Sequence, residues 1–323
     1  MQPIVILTDQ INPDAMALLA RGAQVRVLPA ELSAADGQQW LREQIGQAHG
    51  LIVRRQLPAD LFDAAPALKV VARHGVGLDF IPVEAATQRR IPVLNTPNVN
   101  ANAVAEYAIA GMLAAARRLH QYNQAVREGR WSVRMAAGAS TFELRGRTLG
   151  LVGFGAIGSQ VAQIATAGFG MQAIAHTRSP GRLPAGIEGV DLAALFARSD
   201  YIVLACPLTE QTRGLVDDAL LAQVRPGACL INVARGPVID EAALVRALQS
   251  GRLGAAVLDV LGEQPLRAGH PLADCPGVLF TPHLAGMTAE AERAMGMKAV
   301  TTVLAVLAGE SVDNVVNPQV LDS

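Results

Sequence analysis

TLGLVGFGAIG, residues Thr148 to Gly158, is a short apolar run followed at once by three glycines in G-x-G-x-x-G spacing, Gly153, Gly155 and Gly158. Thr148–Val152 has the composition of a buried strand, and apolar residues after Gly158 recur at helical spacing. In that setting the glycines permit a tight turn, close approach of backbone to a pyrophosphate, and close packing of helix on strand. The helix N-terminus then faces the phosphates. Among 30 glycines in 323 residues the spacing alone arises easily by chance. The strand before it and the helix after it make it a dinucleotide site.

The next strand and its end read Ala173-Ile174-Ala175-His176-Thr177-Arg178-Ser179. An Asp or Glu here would bind the ribose 2′-hydroxyl of NAD. The segment has none; it has Arg178, with Arg182 nearby, and a guanidinium suits a 2′-phosphate. NADP(H) is therefore the expected cofactor, with NAD(H) possible.

Outward from this unit the whole chain alternates strands and helices. Further apolar strands fall near 148–152, 171–175, 201–205, 228–232, 254–258 and 278–280, with helices near 157–168, 191–197, 217–222 and 240–250. Upstream, PIVILTD, QVRVL, GLIVR, KVVAR and IPVLN are strand-like, with helical stretches at 13–21 and 33–47. Such alternation predicts α/β architecture with two doubly wound parallel-sheet domains, a Rossmann nucleotide domain and a flavodoxin-like second domain. Helical spacing from Ala101 to about Arg127 predicts one long helix. A last helix near 287–309 is expected to return to the first domain. The expected division is 1–98 plus 285–323 as the substrate domain and 99–284 as the dinucleotide-binding domain.

Composition agrees. The chain is 51% hydrophobic, 17% charged and only 4% aromatic, and its length suits two domains. A formal net charge of -1 without long runs of one sign gives no footprint for nucleic acid or an anionic membrane. A small-molecule partner is favoured. Cys206, Cys229 and Cys275 lack metal or disulfide spacing, so no metal site is expected. The opening MQPIVILTDQ reads as a strand rather than a leader, which makes the cytoplasm the expected location.

Two reactive side chains follow strands of the nucleotide domain. Arg235 lies in NVARG (232–236) and His283 in TPHLAG (281–286). Ligands of doubly wound sheets bind outside the carboxyl ends of the strands, so both can enter one crevice. Arginine can hold a carboxylate bidentately, and histidine can move a proton near neutral pH.

At this point the chain resembles the D-isomer-specific 2-hydroxyacid dehydrogenases, a group that includes phosphoglycerate dehydrogenases and hydroxypyruvate/glyoxylate reductases. The resemblance spans nearly the whole chain through RHGVGLDFIPVEAA (73–86), NTPNVNANAVAEYAI (95–109), ELRGRTLGLVGFGAIG (143–158), PLTEQTRGLV (207–216), INVARGPVIDEAAL (231–244), AAVLDV (255–260) and TPHLAG. It implies interconversion of a small 2-keto acid and its 2-hydroxy acid, with Arg235 binding the carboxylate and His283 as acid/base. Asp259 matches the acid beside the nicotinamide carboxamide. Gly75, Val76 and Gly77, with Asn100, resemble the family's substrate cradle. The expected cofactor contacts are Gly153, Gly155, Ala156, Ile157 and Gly158, then Thr177, Arg178 and Ser179, then Cys206, Pro207, Thr212, Val233, Ala234, Asp259 and Gly286. The helix after Ala101 with REGRWSVR (127–134) resembles the family's dimerisation region, so a homodimer is expected.

One departure matters. The family usually places a Glu before the Pro that follows the DV segment, where it favours the protonated histidine. Here Gln264 precedes Pro265. A neutral amide orients an imidazole without stabilising its charge, so reduction should favour lower pH. Formate dehydrogenases of the same superfamily also use Gln here and need no acid/base, which gives an alternative enzyme. A dinucleotide-sensing protein like the C-terminal-binding corepressors is the alternative from another class. Finally, Arg54, Arg55 and His74 fall at strand ends of the first domain. Since neighbours on a strand point to opposite sides, one arginine is expected to join His74 in binding the substrate, through a second anionic group.

Overall fold

The computed structural model describes residues 2–321. The elements run β1 (Ile4–Leu7), α1 (Pro13–Gly22), β2 (Gln24–Val27), α2 (Ala34–Gln44), β3 (Gly50–Val53), β4 (Val70–Arg73), α3 (Val83–Gln88), β5 (Val93–Leu94), α4 (Ala101–Ala116) and α5 (Leu119–Arg127). They continue as β6 (Thr148–Val152), α6 (Ala156–Phe169), β7 (Gln172–His176), β8 (Glu188–Gly189), α7 (Leu192–Arg198), β9 (Tyr201–Leu204), α8 (Asp218–Leu221), β10 (Ala228–Asn232), α9 (Glu241–Gln249), β11 (Leu253–Leu258), β12 (Val278–Phe280) and α10 (Ala289–Leu307).

Two compact units emerge. One holds the residues up to Asn100 together with those from Met287 onward; the other is Ala101–Gly286. The first contains a parallel sheet in the order β2-β1-β3-β4-β5, which is flavodoxin-like. The second contains seven parallel strands ordered β12-β11-β10-β9-β6-β7-β8, the Rossmann order with an added strand.

Strand residues alternate between two cores in each unit, which is why these strands read as unbroken apolar runs. In the larger unit Ile202 and Leu204 enter one core while Tyr201 and Val203 enter the other. In the smaller unit Ile6 and Leu51 lie on one side of the sheet and Val5, Leu7 and Ile52 on the other, where α10 contributes Ala299, Val300 and Val303. Thr288 caps α10 by accepting from the Ala291 amide, and Glu290 and Glu292 in its first turn complement the helix dipole.

The long helix expected from Ala101 to Arg127 is two helices. Arg118 is left-handed at φ 48°, and its amide bonds three residues back, to Ala115. The Ala116 carbonyl accepts instead from the Phe142 amide, so the following segment takes over the helix end. The stretch after α5 forms a 3₁₀ turn over Trp131–Ala139. No helix among the described residues is long and apolar enough to cross a membrane.

Candidate active site

The glycine loop of the larger unit has the conformation a dinucleotide requires. Gly153 adopts φ 97°, and a Cβ there would lie 2.9 Å from the Ala205 backbone. At Gly158 it would lie 2.3 Å from the Gly153 carbonyl oxygen, so α6 could not approach the turn. Above Gly155, the N-cap of α6, there is open space within 4 Å, leaving the helix N-terminus accessible. These residues therefore fit a pyrophosphate. Ala156 and Ile157 open the helix. Thr177, Arg178 and Ser179 follow the carboxyl end of β7, with Arg178 exposed. After β9, the Thr212 hydroxyl donates to the Pro207 carbonyl (2.7 Å) and accepts from the Thr209 amide (2.7 Å), closing a turn beside half-buried Cys206.

Three adjacent strands, β10, β11 and β12, are followed at their carboxyl ends by the loops that hold Arg235, Gln264 and His283. Beyond β10, the fully buried Asn232 organises the turn through Val233 and Ala234: its Oδ1 accepts from the Ala234 amide (3.0 Å) and its Nδ2 donates to the Arg235 carbonyl (3.0 Å). Arg235 is half-buried and donates from Nη1 to the Ala234 carbonyl at 2.7 Å. The next residue cannot be other than glycine. A Cβ at Gly236 would lie 1.9 Å from the Leu261 carbonyl carbon and 2.3 Å from the Gly262 nitrogen. The Arg235 turn thus rests directly on the loop that carries Gln264.

Beyond β12, His283 is left-handed at φ 57°, and its amide reaches the carbonyls of Asp259 (2.9 Å) and Thr281 (3.0 Å). Asp259, only 3% exposed, clasps the same loop: Oδ1 accepts from the Thr281 hydroxyl (2.6 Å) and the Leu284 amide (2.8 Å), and Oδ2 from the Ala285 amide (2.9 Å). Lone-pair capacity remains on Oδ2 for a further donor. Gly286 ends the loop, half-buried.

The imidazole of His283 is exposed, and its Nδ1 faces the Gln264 Oε1 at 3.3 Å. Gln264 donates from Nε2 to the Leu261 carbonyl (3.3 Å), which turns its oxygen toward the ring. An amide oxygen only accepts, so Nδ1 carries the proton in this contact. Glu263 points elsewhere, pairing with Arg267 at 2.5 Å.

The smaller unit differs from expectation. Arg54 and Arg55 lie beyond the end of β3, where strand alternation no longer applies, and both turn to the segment after β1. Arg54 donates to the Gln10 carbonyl (2.9 Å) and pairs with Glu292 of α10 (3.0 Å); Arg55 pairs with Asp9 (2.6 Å). Each arginine already has a carboxylate. His74 is buried, and burial together with the charges of Arg54 and Arg73 lowers its pKa from 6.5 to about 4. It is therefore neutral near pH 7, and the neighbouring Arg54 is engaged by Glu292. Gly75, at φ 143°, and Gly77 shape the following turn. The carbonyls of Val76 and Gly77 accept from Asn95 (3.0 Å) and Arg73 (3.0 Å). Asn100 is half-buried at the end of this unit's first segment.

His74 has a pH consequence. Its folded pKa lies below the unfolded value, so the unfolded state binds the proton first and stability falls as pH drops from about 6.5 toward 4. The full loss is roughly 3 kcal/mol. The urea midpoint is expected to fall between pH 7 and pH 5 in the wild type and to fall less in His74→Ala. Equal falls would assign the titration to another group.

The fold and the three strand ends together define a dinucleotide-binding protein with an arginine and an amide-oriented histidine at one sheet edge. The family model for the D-isomer specific 2-hydroxyacid dehydrogenase, NAD binding domain, matches residues 109–285. A glyoxylate reductase from Aeropyrum pernix is 38% identical over 330 residues, covering 99% of this chain and 97% of its own. The D-3-phosphoglycerate dehydrogenase of Mycobacterium bovis is 39% identical over 322 residues, 98% of this chain, and the chain spans only 59% of that relative's length. Among solved structures, an NADPH-dependent glyoxylate/hydroxypyruvate reductase from Sinorhizobium meliloti superposes with a TM-score of 0.84 at 35% identity, covering 98% of both chains. The chain belongs to the D-isomer specific 2-hydroxyacid dehydrogenase family.

Proposed function

We propose that this protein reduces a small 2-keto acid to the 2-hydroxy acid with a nicotinamide dinucleotide, preferring NADPH. The observation that carries the reading is the placement of Arg235, Gln264 and His283 on the loops after three adjacent strands of the sheet that also carries the glycine loop. The bound cofactor supplies the hydride. Arg235 holds the carboxylate and draws charge toward the carbonyl oxygen, and His283 delivers a proton to that oxygen from Nε2. Gln264 keeps Nδ1 turned away and protonated throughout. In the reverse direction the same Nε2 takes the hydroxyl proton. Arg178 after β7, in place of an acid, supports NADPH, as does the NADPH dependence of the Sinorhizobium meliloti relative.

The test is NADPH and NADH oxidation with glyoxylate, hydroxypyruvate, pyruvate, phosphohydroxypyruvate and oxaloacetate, with formate plus NAD⁺ or NADP⁺ as the reverse assay. Turnover of a keto acid, faster with NADPH, is expected. Formate oxidation alone would give Gln264 the other chemistry, which transfers hydride without a proton.

Gln264 also sets a pH dependence. A carboxylate at this position would favour imidazolium, whereas the amide does not. Gln264→Glu is expected to extend keto-acid reduction to higher pH, read as an upward shift of the alkaline limb in kcat against pH. An unmoved limb would detach Gln264 from the protonation of His283.

We also propose a homodimer. Apolar side chains stand exposed along α5 and the 3₁₀ turn after it, with Trp131 at 70% and Met135 at 89%, and a second copy would cover them. Light scattering that returns a monomer mass at micromolar concentration would refute it. The three free thiols suit a reducing cytoplasm.

A further inference from the structure

The clasp around the His283 loop does not end at Thr281. The Thr281 hydroxyl lies 2.5 Å from the phenolic oxygen of Tyr107 on α4. Directions in this chain of bonds follow from counting protons. Thr281 has one hydroxyl proton, and it goes to Asp259 Oδ1 at 2.6 Å. Its oxygen can then only accept from Tyr107, so the phenol is the donor. Tyr107 is half-buried, and burial pushes its pKa up, which keeps it in the donating form.

We infer that Tyr107 is a positioning residue for the proposed reaction: its hydroxyl orients Thr281, Thr281 orients the Asp259 carboxylate, and Asp259 fixes the loop that presents His283. The inference rests on the reading of His283 as the acid/base.

The last link acts on the backbone next to the imidazole. Asp259 receives the amides of Leu284 and Ala285, and its own carbonyl receives the amide of His283, which holds a left-handed conformation unusual for a residue with a Cβ. Without the phenol, the Thr281 oxygen loses its donor and its hydroxyl can rotate, releasing one of the three donors on Asp259. Tyr107 belongs to α4, 174 residues away in sequence, and so ties the loop to a helix.

The experiment compares Tyr107→Phe, Thr281→Val, Thr281→Ser and the Tyr107→Phe/Thr281→Val double variant. For the keto acid that the wild type turns over, Tyr107→Phe at saturating NADPH should lower kcat roughly three- to tenfold, the size of one hydrogen bond, with the keto-acid KM unchanged. Thr281→Ser should restore what Thr281→Val loses. The double variant should be no slower than Thr281→Val, since both substitutions cut one chain. Wild-type kcat in Tyr107→Phe, or losses that multiply in the double variant, would overturn the inference. If the wild type reduces no keto acid, the proposed reaction fails, and the inference is judged on the His283 ring signals by NMR. A shifted or broadened His283 Cε1–H resonance in Tyr107→Phe supports it, and an unchanged one overturns it.

Discussion

Replacement of His283 by Gln is expected to lower kcat for keto-acid reduction roughly 100- to 10,000-fold, the range of a positioned general acid. NADPH affinity should change far less than kcat, because the glycine loop follows β6 while His283 lies beyond β12. The loss should fall on kcat more than on KM. The proton from Nε2 matters only as the carbonyl oxygen gains charge, so the interaction is made in the transition state and hardly in the ground state. Stopped-flow oxidation of NADPH with the preferred keto acid measures it. A variant that keeps its hydride-transfer rate would remove the histidine from proton delivery and favour a reaction that moves hydride alone.

The second large effect is structural in origin. Gly236→Ala would put a methyl group 1.9 Å from the Leu261 carbonyl carbon and 2.0 Å from its oxygen. These are backbone atoms at the start of the loop that carries Gln264, and they cannot rotate away as a side chain end can. Either the Arg235 turn or the 259–264 loop must move. A misplacement of about 1 Å at a substrate-positioning residue can cost on the order of 100-fold in rate, so a loss of that size in kcat/KM is expected while the nucleotide still binds. Gly168→Ala, on α6 with open space around its Cβ, serves as the control and should leave activity intact. Similar activity in both variants would mean that the two loops are not held against each other as the structure has them.

Much of this was legible from residue patterns because it depends on local chemistry. The glycine loop and the strand ends that carry Arg235 and His283 follow from short runs with fixed spacing, and Gln264 beside the histidine follows from the family resemblance. The break at Arg118 was not legible: apolar spacing continues through it, and the cause is a carbonyl taken up by Phe142, which no periodicity contains. Nor could spacing reveal that Arg54 is paired, since its partner Glu292 lies 238 residues away. Charge on a strand end looks the same whether it awaits a ligand or already has a carboxylate. Tyr107 was hidden for a related reason. On α4 it reads as one more apolar position of the helix, and only its distance to Thr281 distinguishes it.

The chain path through the smaller unit has a consequence for synthesis. Ala299, Val300 and Val303 of α10 complete the core on one side of its sheet, yet they are made after all of Ala101–Gly286. At ribosomal rates that intervening stretch takes roughly ten to forty seconds. During that interval β1, β3 and β4 have left the ribosome with one apolar face covered only in part, by Ala15 and Leu19 of α1. The larger unit, contiguous in sequence, can fold within it. A nascent chain stalled before α10 should therefore bind chaperones through its first hundred residues and release them once the last helix emerges.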